Sequence, residues 1–293
     1  MKAAVGHLEL EYDTFGDPAG EPVLLIMGLA TQMTAWPVRL CEMLAERGFY
    51  VIRFDNRDIG LSTHLDDLGN PSIARLVLRL QGAPYSLDDM AADAVGLLDQ
   101  LGIDRAHVVG ASMGGMIAQL VAINHPSRVL SLTSIMSGVG GRDQVRPPLA
   151  GIGVLLKPRP RDRQAGIRRQ LEVRRFLAGG NPIDEALELK MAEAMVDRSL
   201  HPAGAVRQLA AIMRAPSRRS RLRSLAVPVL VIHGADDPLV PVENGRRTAR
   251  AIPNARLLII ERMGHNLPNH AWSVVVDAIT DIANEAKPLK AAG

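Results

Sequence analysis

The chain has 293 residues, 47% hydrophobic and 22% charged, with one cysteine and a net charge of +3. This is too apolar for a disordered chain, rules out an intrachain disulfide, and suits one large domain or a domain carrying an insertion. The isoelectric point near 9.3 raises nucleic acid as a partner, but 18 Lys and Arg face 8 Asp and Glu between Arg142 and Arg223 and the rest is net acidic; with no nucleic-acid module and no aromatic platform beside it, that stretch reads as solvated helical faces.

In chain order, HLELEYDTF (7–15) alternates like a strand, and PVLLIMG (22–28) is a continuous apolar run of the kind buried in a parallel sheet. A helix is expected near 36–47, stopped by Gly48; Cys41 lies in it as a small hydrophobe, with nothing nearby to lower its thiol pKa. FYVIRFD (49–55) is a strand. SLDDMAADAVGLLDQLG (86–102) is a helix, opened by a capping box of Ser86 and Asp89 and closed by Gly102. AHVVGA (106–111) is a strand, Met113 to Asn124 a helix, and RVLSLTSIM (128–136) a strand. From 140 to 223 the rhythm breaks into Arg, Pro and helical spacing. It resumes with a strand at 227–234, a helix at 242–251, a strand at 255–261 and a helix from about 270 to 285; the tail KPLKAAG is expected to fray.

Alternating strands and helices predict an α/β fold, a doubly wound and mostly parallel sheet. Residues 1–139 and 224–293 would form its core domain, and 140–223 an inserted helical cap, because ordinary connections run only about 4–6 residues. The start, MKAAVGHLELEYDTFG, lacks a secretory pattern, and no apolar run reaches the about 18 residues of a membrane span. A cytoplasmic protein without membrane contact is expected, as monomer or homodimer. Ligands of such sheets bind beyond the carboxyl ends of the strands.

At one such end stands Gly110-Ala111-Ser112-Met113-Gly114, a G-x-S-x-G pattern between a strand and a helix. A turn this sharp strains the serine backbone and excludes side chains two residues away, while lifting the hydroxyl clear of the sheet above a helix N-terminus. A serine hydroxyl needs a base. Of eight histidines, His7, His64, His107, His125, His201 and His270 have local explanations as strand, helix-end or surface residues, and His233 could be structural at a strand end. His265, in ERMGHNLP just past a strand, is the candidate base. The acid that holds its tautomer comes from Asp236 or Asp237 in VLVIHGADDPLVP, with Asp237 preferred. No Cys/His cluster has metal-ligand spacing and no glycine pattern fits a nucleotide loop, so neither metal nor cofactor is expected.

The chain order Ser112, Asp237, His265 and the segments LLIMGLA (24–30), RFDNRDIGLST (53–63), GASMGG (110–115), HGADDPLVP (233–241) and MGHNLP (263–268) resemble the α/β-hydrolase fold superfamily. Within it the chain looks most like capped esterases of the aclacinomycin methylesterase kind, which share Met-Gly where many relatives carry His-Gly. The resemblance implies Asp237 as the triad acid and an oxyanion hole formed by the backbone N–H groups of Leu29 and Met113. Met27 stands where the common histidine would be. Asp55, Arg57, Gly60 and Ser62 would brace loops. Met33, Met116, Val139, Leu239 and Leu267, with Leu29, would line an apolar pocket for small uncharged esters of short to medium acyl chain. Ser112 excludes the dehalogenases and epoxide hydrolases, which need aspartate there. Carbon–carbon bond hydrolases, lactonases, perhydrolases and hydroxynitrile lyases keep the serine and stay open, as does a non-catalytic receptor or an acidic partner docked on the Arg-rich segment.

Overall fold

The computed structural model describes residues 1–157, 160 and 162–286; the KPLKAAG tail lies outside them. Eight strands make one sheet in the order β1-β2-β4-β3-β5-β6-β7-β8. They are β1 (Lys2–Val5), β2 (Leu8–Phe15), β3 (Glu21–Ile26), β4 (Phe49–Phe54), β5 (Ala106–Ala111), β6 (Val129–Ile135), β7 (Val229–Gly234) and β8 (Arg256–Ile260). The β1/β2 and β2/β4 pairs are antiparallel and all others parallel. The sheet is therefore the mostly parallel one expected, with an added β1 whose four residues are too few to show a period.

The helices are α1 (Val38–Glu46), α2 (Ile73–Val77), α3 (Leu87–Gln100), α4 (Met113–Asn124), α5 (Leu149–Leu156), α6 (Arg163–Leu177), α7 (Glu185–Arg198), α8 (Pro202–Arg214), α9 (Arg219–Leu222), α10 (Glu243–Ala251) and α11 (Trp272–Glu285). Successive strand residues point to opposite faces. Leu24, Ile26, Ile52, Phe54 and Val108 pack with α3 and α4, whereas Val23, Leu25, Val51 and Val109 pack with α1 and α11. All six residues of β5 are buried, which is why AHVVGA reads as a run and not as an alternation. The start of α3 is a full capping box: Ser86 Oγ accepts from Asp89 N at 3.1 Å and Ser86 N donates to Asp89 Oδ2 at 2.7 Å. No helix among the described residues is long and apolar enough to cross a membrane.

Helices α5 to α9 all fall between β6 and β7. Their anchorage is ionic and buried. Arg207 of α8 forms a two-pronged pair with Asp58, Nε to Oδ2 at 2.8 Å and Nη2 to Oδ1 at 2.7 Å, and both side chains are fully buried. Arg198 of α7 lies 2.7 Å from the buried carboxylate of Asp55. Asp55 also accepts from Met33 N at 2.7 Å and Leu61 N at 2.9 Å. Gly60 (φ +61) allows this, because a Cβ there would sit 2.0 Å from Asp55 Oδ2. Ser62 Oγ donates to Asp55 O at 2.6 Å and accepts from Glu11 N at 2.9 Å, while Arg57 clasps Asp93 of α3 at 2.6 and 2.7 Å. Sequence reasoning singled out four residues of this loop for bracing; it did not single out Asp58, whose partner stands 149 positions away.

Candidate active site

Parallel pairing lines up the strand ends at one rim: Ile26 opposite Gly110, Ala111 opposite Ile135, Ile135 opposite Ile232, Gly234 opposite Ile260. Each residue of interest leaves the sheet just beyond that line. Ser112 adopts φ 57 and ψ −119, conformations that cost an L-residue about 1–3 kcal/mol. Its N–H still donates to Ile135 O at 2.9 Å, so the ladder holds the strained residue in place. A Cβ on Gly110 would lie 2.1 Å from Gly114 O, and one on Gly114 would lie 2.1 Å from Ile26 O. The two glycines are thus demanded by backbone packed against backbone, which draws α4 down onto β5 and β3.

Ser112 Oγ lies 2.8 Å from His265 Nε2. His265 Nδ1 lies 2.6 Å from Asp237 Oδ2. An ionised carboxylate can only accept, so the imidazole proton sits on Nδ1 and the Nε2 lone pair faces the hydroxyl. The His265 backbone N–H donates to Leu177 O at 2.7 Å, tying this loop to the end of α6. Asp237 Oδ1 accepts from Leu239 N at 2.9 Å and Val240 N at 2.7 Å. Burial opposes the charge of Asp237, yet the imidazoles of His265 and His233 outweigh it and hold the carboxyl well below its ordinary value. His233 is fully buried; its Nε2 stands 2.8 Å from Val240 O and 3.3 Å from Asp237 Oδ2. Of the neighbouring acids, Asp236 is exposed, its Oδ2 3.3 Å from Asn181 Nδ2, and Asp237 is the one that reaches the imidazole.

Met113 opens α4, so its N–H belongs to the first turn that has no intrahelical acceptor and carries the positive end of the helix dipole. Gly28 abuts the serine; a Cβ there would be 3.0 Å from Ser112 Cβ. Leu29 follows immediately. Its carbonyl accepts from Thr31 Oγ1 at 2.9 Å, and the next N–H, Ala30, donates to Gln208 Oε1 at 2.9 Å. Met27 is buried among the α1-side core, and its carbonyl accepts from Asn56 Nδ2 at 2.9 Å.

Met33 is buried next to Asp55, Met116 is buried in the α4 core, Leu239 is half-buried with its tip near Gly151 of α5, and Leu267 packs on the α11 side. Arg218, buried, binds Gly138 O at 2.9 Å through Nη2 and Val139 O at 2.8 Å through its N–H, and Val139 then lines a groove with Asp143, Arg219, Arg223 and Arg247. His64 and His201, taken from the sequence as surface residues, stack ring on ring at 3.8 Å between the loop after β4 and the start of α8. Burial pushes the Cys41 thiol up to about 12, which leaves it unreactive near neutral pH. Among the described residues, no group of three or more His, Cys, Asp and Glu is arranged to hold a metal ion.

Residues 21–268 match the family model of the alpha/beta hydrolase fold. The chain belongs to this family. The α/β-hydrolase is 34% identical over 278 residues to rhodomycin D methylesterase DnrP of Streptomyces peucetius, covering 86% of this chain and 87% of that one. It is 32% identical over 262 residues to a 2-hydroxy-6-oxononadienedioate/2-hydroxy-6-oxononatrienedioate hydrolase of Burkholderia vietnamiensis, covering 88% and 85%. Among solved structures, the enol-lactonase from Burkholderia xenovorans LB400 superposes with a TM-score of 0.76 over 97% of this chain and 100% of that one, at 22% identity; this likeness speaks for the fold alone. A hydrolase with ester-cleaving relatives is thereby shown, and carbon–carbon hydrolases stand among its relatives as well.

Proposed function

We propose that this α/β-hydrolase is a serine esterase acting on small uncharged carboxylic esters. His265 takes the proton of Ser112 Oγ as the oxygen attacks the ester carbonyl. The N–H groups of Leu29 and Met113 hold the tetrahedral oxyanion. His265 returns the proton to the departing alkoxide, leaving an acyl-Ser112 and a free alcohol. Water, deprotonated by His265, then attacks the acyl-enzyme and releases the acid. Asp237 stabilises the imidazolium at each step. The observation that carries this reading is the unbroken chain of contacts at 2.8 and 2.6 Å from Ser112 through His265 to Asp237. The 34% identity to a methylesterase over 278 residues supports the ester.

Residues 140–223 serve in this reading as a cap over the core formed by 1–139 and 224–293, with the substrate between them. Leu239, adjacent to the Asp237 turn and touching α5 at Gly151, would meet the substrate from the core side. The second reading, hydrolysis of a carbon–carbon bond in a 2-hydroxy-6-oxo-dienoate, is favoured by relatives at 30–34% identity named as 2-hydroxy-6-oxononadienedioate/2-hydroxy-6-oxononatrienedioate hydrolases.

The two are separated by parallel assays on p-nitrophenyl and methyl esters of increasing acyl length and on a 2-hydroxy-6-oxo-dienoate. The expected outcome is ester turnover that rises and then falls with chain length and is lost in Ser112→Ala. Turnover confined to the charged dienoate would overturn the esterase reading.

A further inference from the structure

The loop after β3 that carries Leu29 extends beyond the parallel ladder, which ends at Ile26. Its conformation is set by side chains, of which Gln208 and Arg198 come from the helical segment. Gln208 on α8, fully buried, accepts from Ala30 N at 2.9 Å and donates through Nε2 to Arg57 O at 2.8 Å. Gln32, 2% exposed, donates to Met195 O at 2.8 Å and Ser199 O at 2.9 Å at the end of α7, and accepts from Arg198 at 2.8 Å. Asp55, paired with Arg198, takes Met33 N. Between these anchors Ala30 is held at φ 55, a conformation an L-residue keeps only when its surroundings over-determine it.

We infer that Gln208 is a positioning residue of the oxyanion hole. This rests on the serine-esterase reading above. Gln208 fixes the plane of the Leu29–Ala30 peptide through the Ala30 N–H, and the Leu29 N–H one bond system earlier is aimed by the same constraint. Releasing Ala30 N lets the Leu29 backbone rotate, and the donor swings away from the place where the oxyanion forms. Helices α7 and α8 are then a fixed wall of the catalytic centre. Losing one oxyanion donor costs about 10²–10³ in rate, and misplacing a reacting geometry by about 1 Å costs about 10²; a displaced donor belongs at or below the smaller figure.

The test compares Gln208→Met, which keeps length and removes both polar contacts, with Gln208→Glu, which keeps an acceptor for Ala30 N–H and loses the donor to Arg57 O. The readouts are kcat and KM on a p-nitrophenyl ester, the thermal midpoint, and Ki for an alkyl boronic acid that forms a tetrahedral adduct on the serine. Gln208→Met is expected to lower kcat about 10- to 100-fold with KM little changed, and to weaken the boronic acid by the same factor. Gln208→Glu is expected to recover most of both. If Gln208→Met does not fold, Gln208→Asn replaces it, because one methylene less withdraws the acceptor from Ala30 N while keeping the site polar. The inference is overturned by wild-type kcat in Gln208→Met, by a lower kcat with unchanged boronic acid affinity, or by Gln208→Glu behaving like Gln208→Met. Ser112→Ala separates the two levels. If it is inactive while Gln208→Met is unimpaired, only this inference falls; if Ser112→Ala still turns over, the esterase reading falls with it.

Discussion

At φ 57 and ψ −119, Ser112 stores backbone strain that no side-chain contact reveals. Glycine there is free of the Cβ penalty of about 1–3 kcal/mol but frees the unfolded chain by about 0.4–1 kcal/mol. Ser112→Gly should therefore unfold in urea with a stability roughly 1 kcal/mol above that of Ser112→Ala, although both lack the hydroxyl; equal stabilities would mean that the elbow is unstrained. Asp237 makes a second test. Burial alone would raise its pKa, yet His265 and His233 bring it well below the ordinary carboxylate value, which is about 3.9. A depressed folded pKa adds stability that is present above the unfolded value and lost as pH falls through the folded one. The gap in thermal midpoint between wild type and Asp237→Asn should thus be flat above about pH 5 and shrink below about pH 4. A gap that closed between neutrality and pH 6 would assign the titration to another group. Ser112, Asp237 and His265 were legible because each sits just past a strand end, where sequence pattern and chemistry coincide. Gln208, on α8 and 178 residues from Ala30, carries no such mark. His233 read as a strand-end residue, and its contact with the Asp237 carboxylate appears only in three dimensions.

Elements dock here through backbone contact at the centre and through buried charge at the periphery. Gly114→Ala would drive a methyl to 2.1 Å from Ile26 O and 2.8 Å from Met27 O. Neither carbonyl can yield without disturbing the end of the central strand β3, so the loss should reach or exceed about 3 kcal/mol, the upper end for overpacking, read by denaturant unfolding; a loss under about 1 kcal/mol would mean α4 can slide on β3. Arg207→Met strands the buried Asp58 carboxylate and should cost about 3–5 kcal/mol, whereas adding Asp58→Leu should restore much of it. No recovery in the double variant would mean that Arg207 matters chiefly for its contacts to Asp66 and Gly69. The long strands and helices were readable from period and caps, as Ser86, Asp89 and Gly102 around α3 show. What escaped was short: β1 with four residues and α2 with five are too brief for a pattern to repeat convincingly, and α2 leaves Val77 exposed and Leu78 beyond its end exposed too, contrary to the amphipathic rule. The interior of the 140–223 segment was legible as helical, but its attachment was not, since its partners lie in the loop after β4.

For the whole molecule, one mostly parallel sheet brings three chain-distant side chains to one rim, and the Arg-rich segment lies outside that rim. Several of its basic residues are met within the segment by exposed pairs such as Arg163 with Asp197 and Arg175 with Glu185. Exposed pairs contribute little and are screened as the Debye length falls from about 10 Å at 0.1 M salt to about 3 Å at 1 M. The urea midpoint should accordingly be nearly the same at both salt concentrations, because Arg207 and Asp58 pair fully buried and Arg198 meets the buried Asp55 carboxylate; a large fall at high salt would mean that the surface network holds helices α5 to α9 in place. The most direct measurement is to quench the enzyme in acid milliseconds after mixing with a p-nitrophenyl ester and map the adduct by peptide mass. The account predicts one acyl group on the peptide carrying Ser112, appearing with the p-nitrophenol burst and absent from Ser112→Ala. An acyl group on another residue, or ester turnover undiminished in Ser112→Ala, would contradict it.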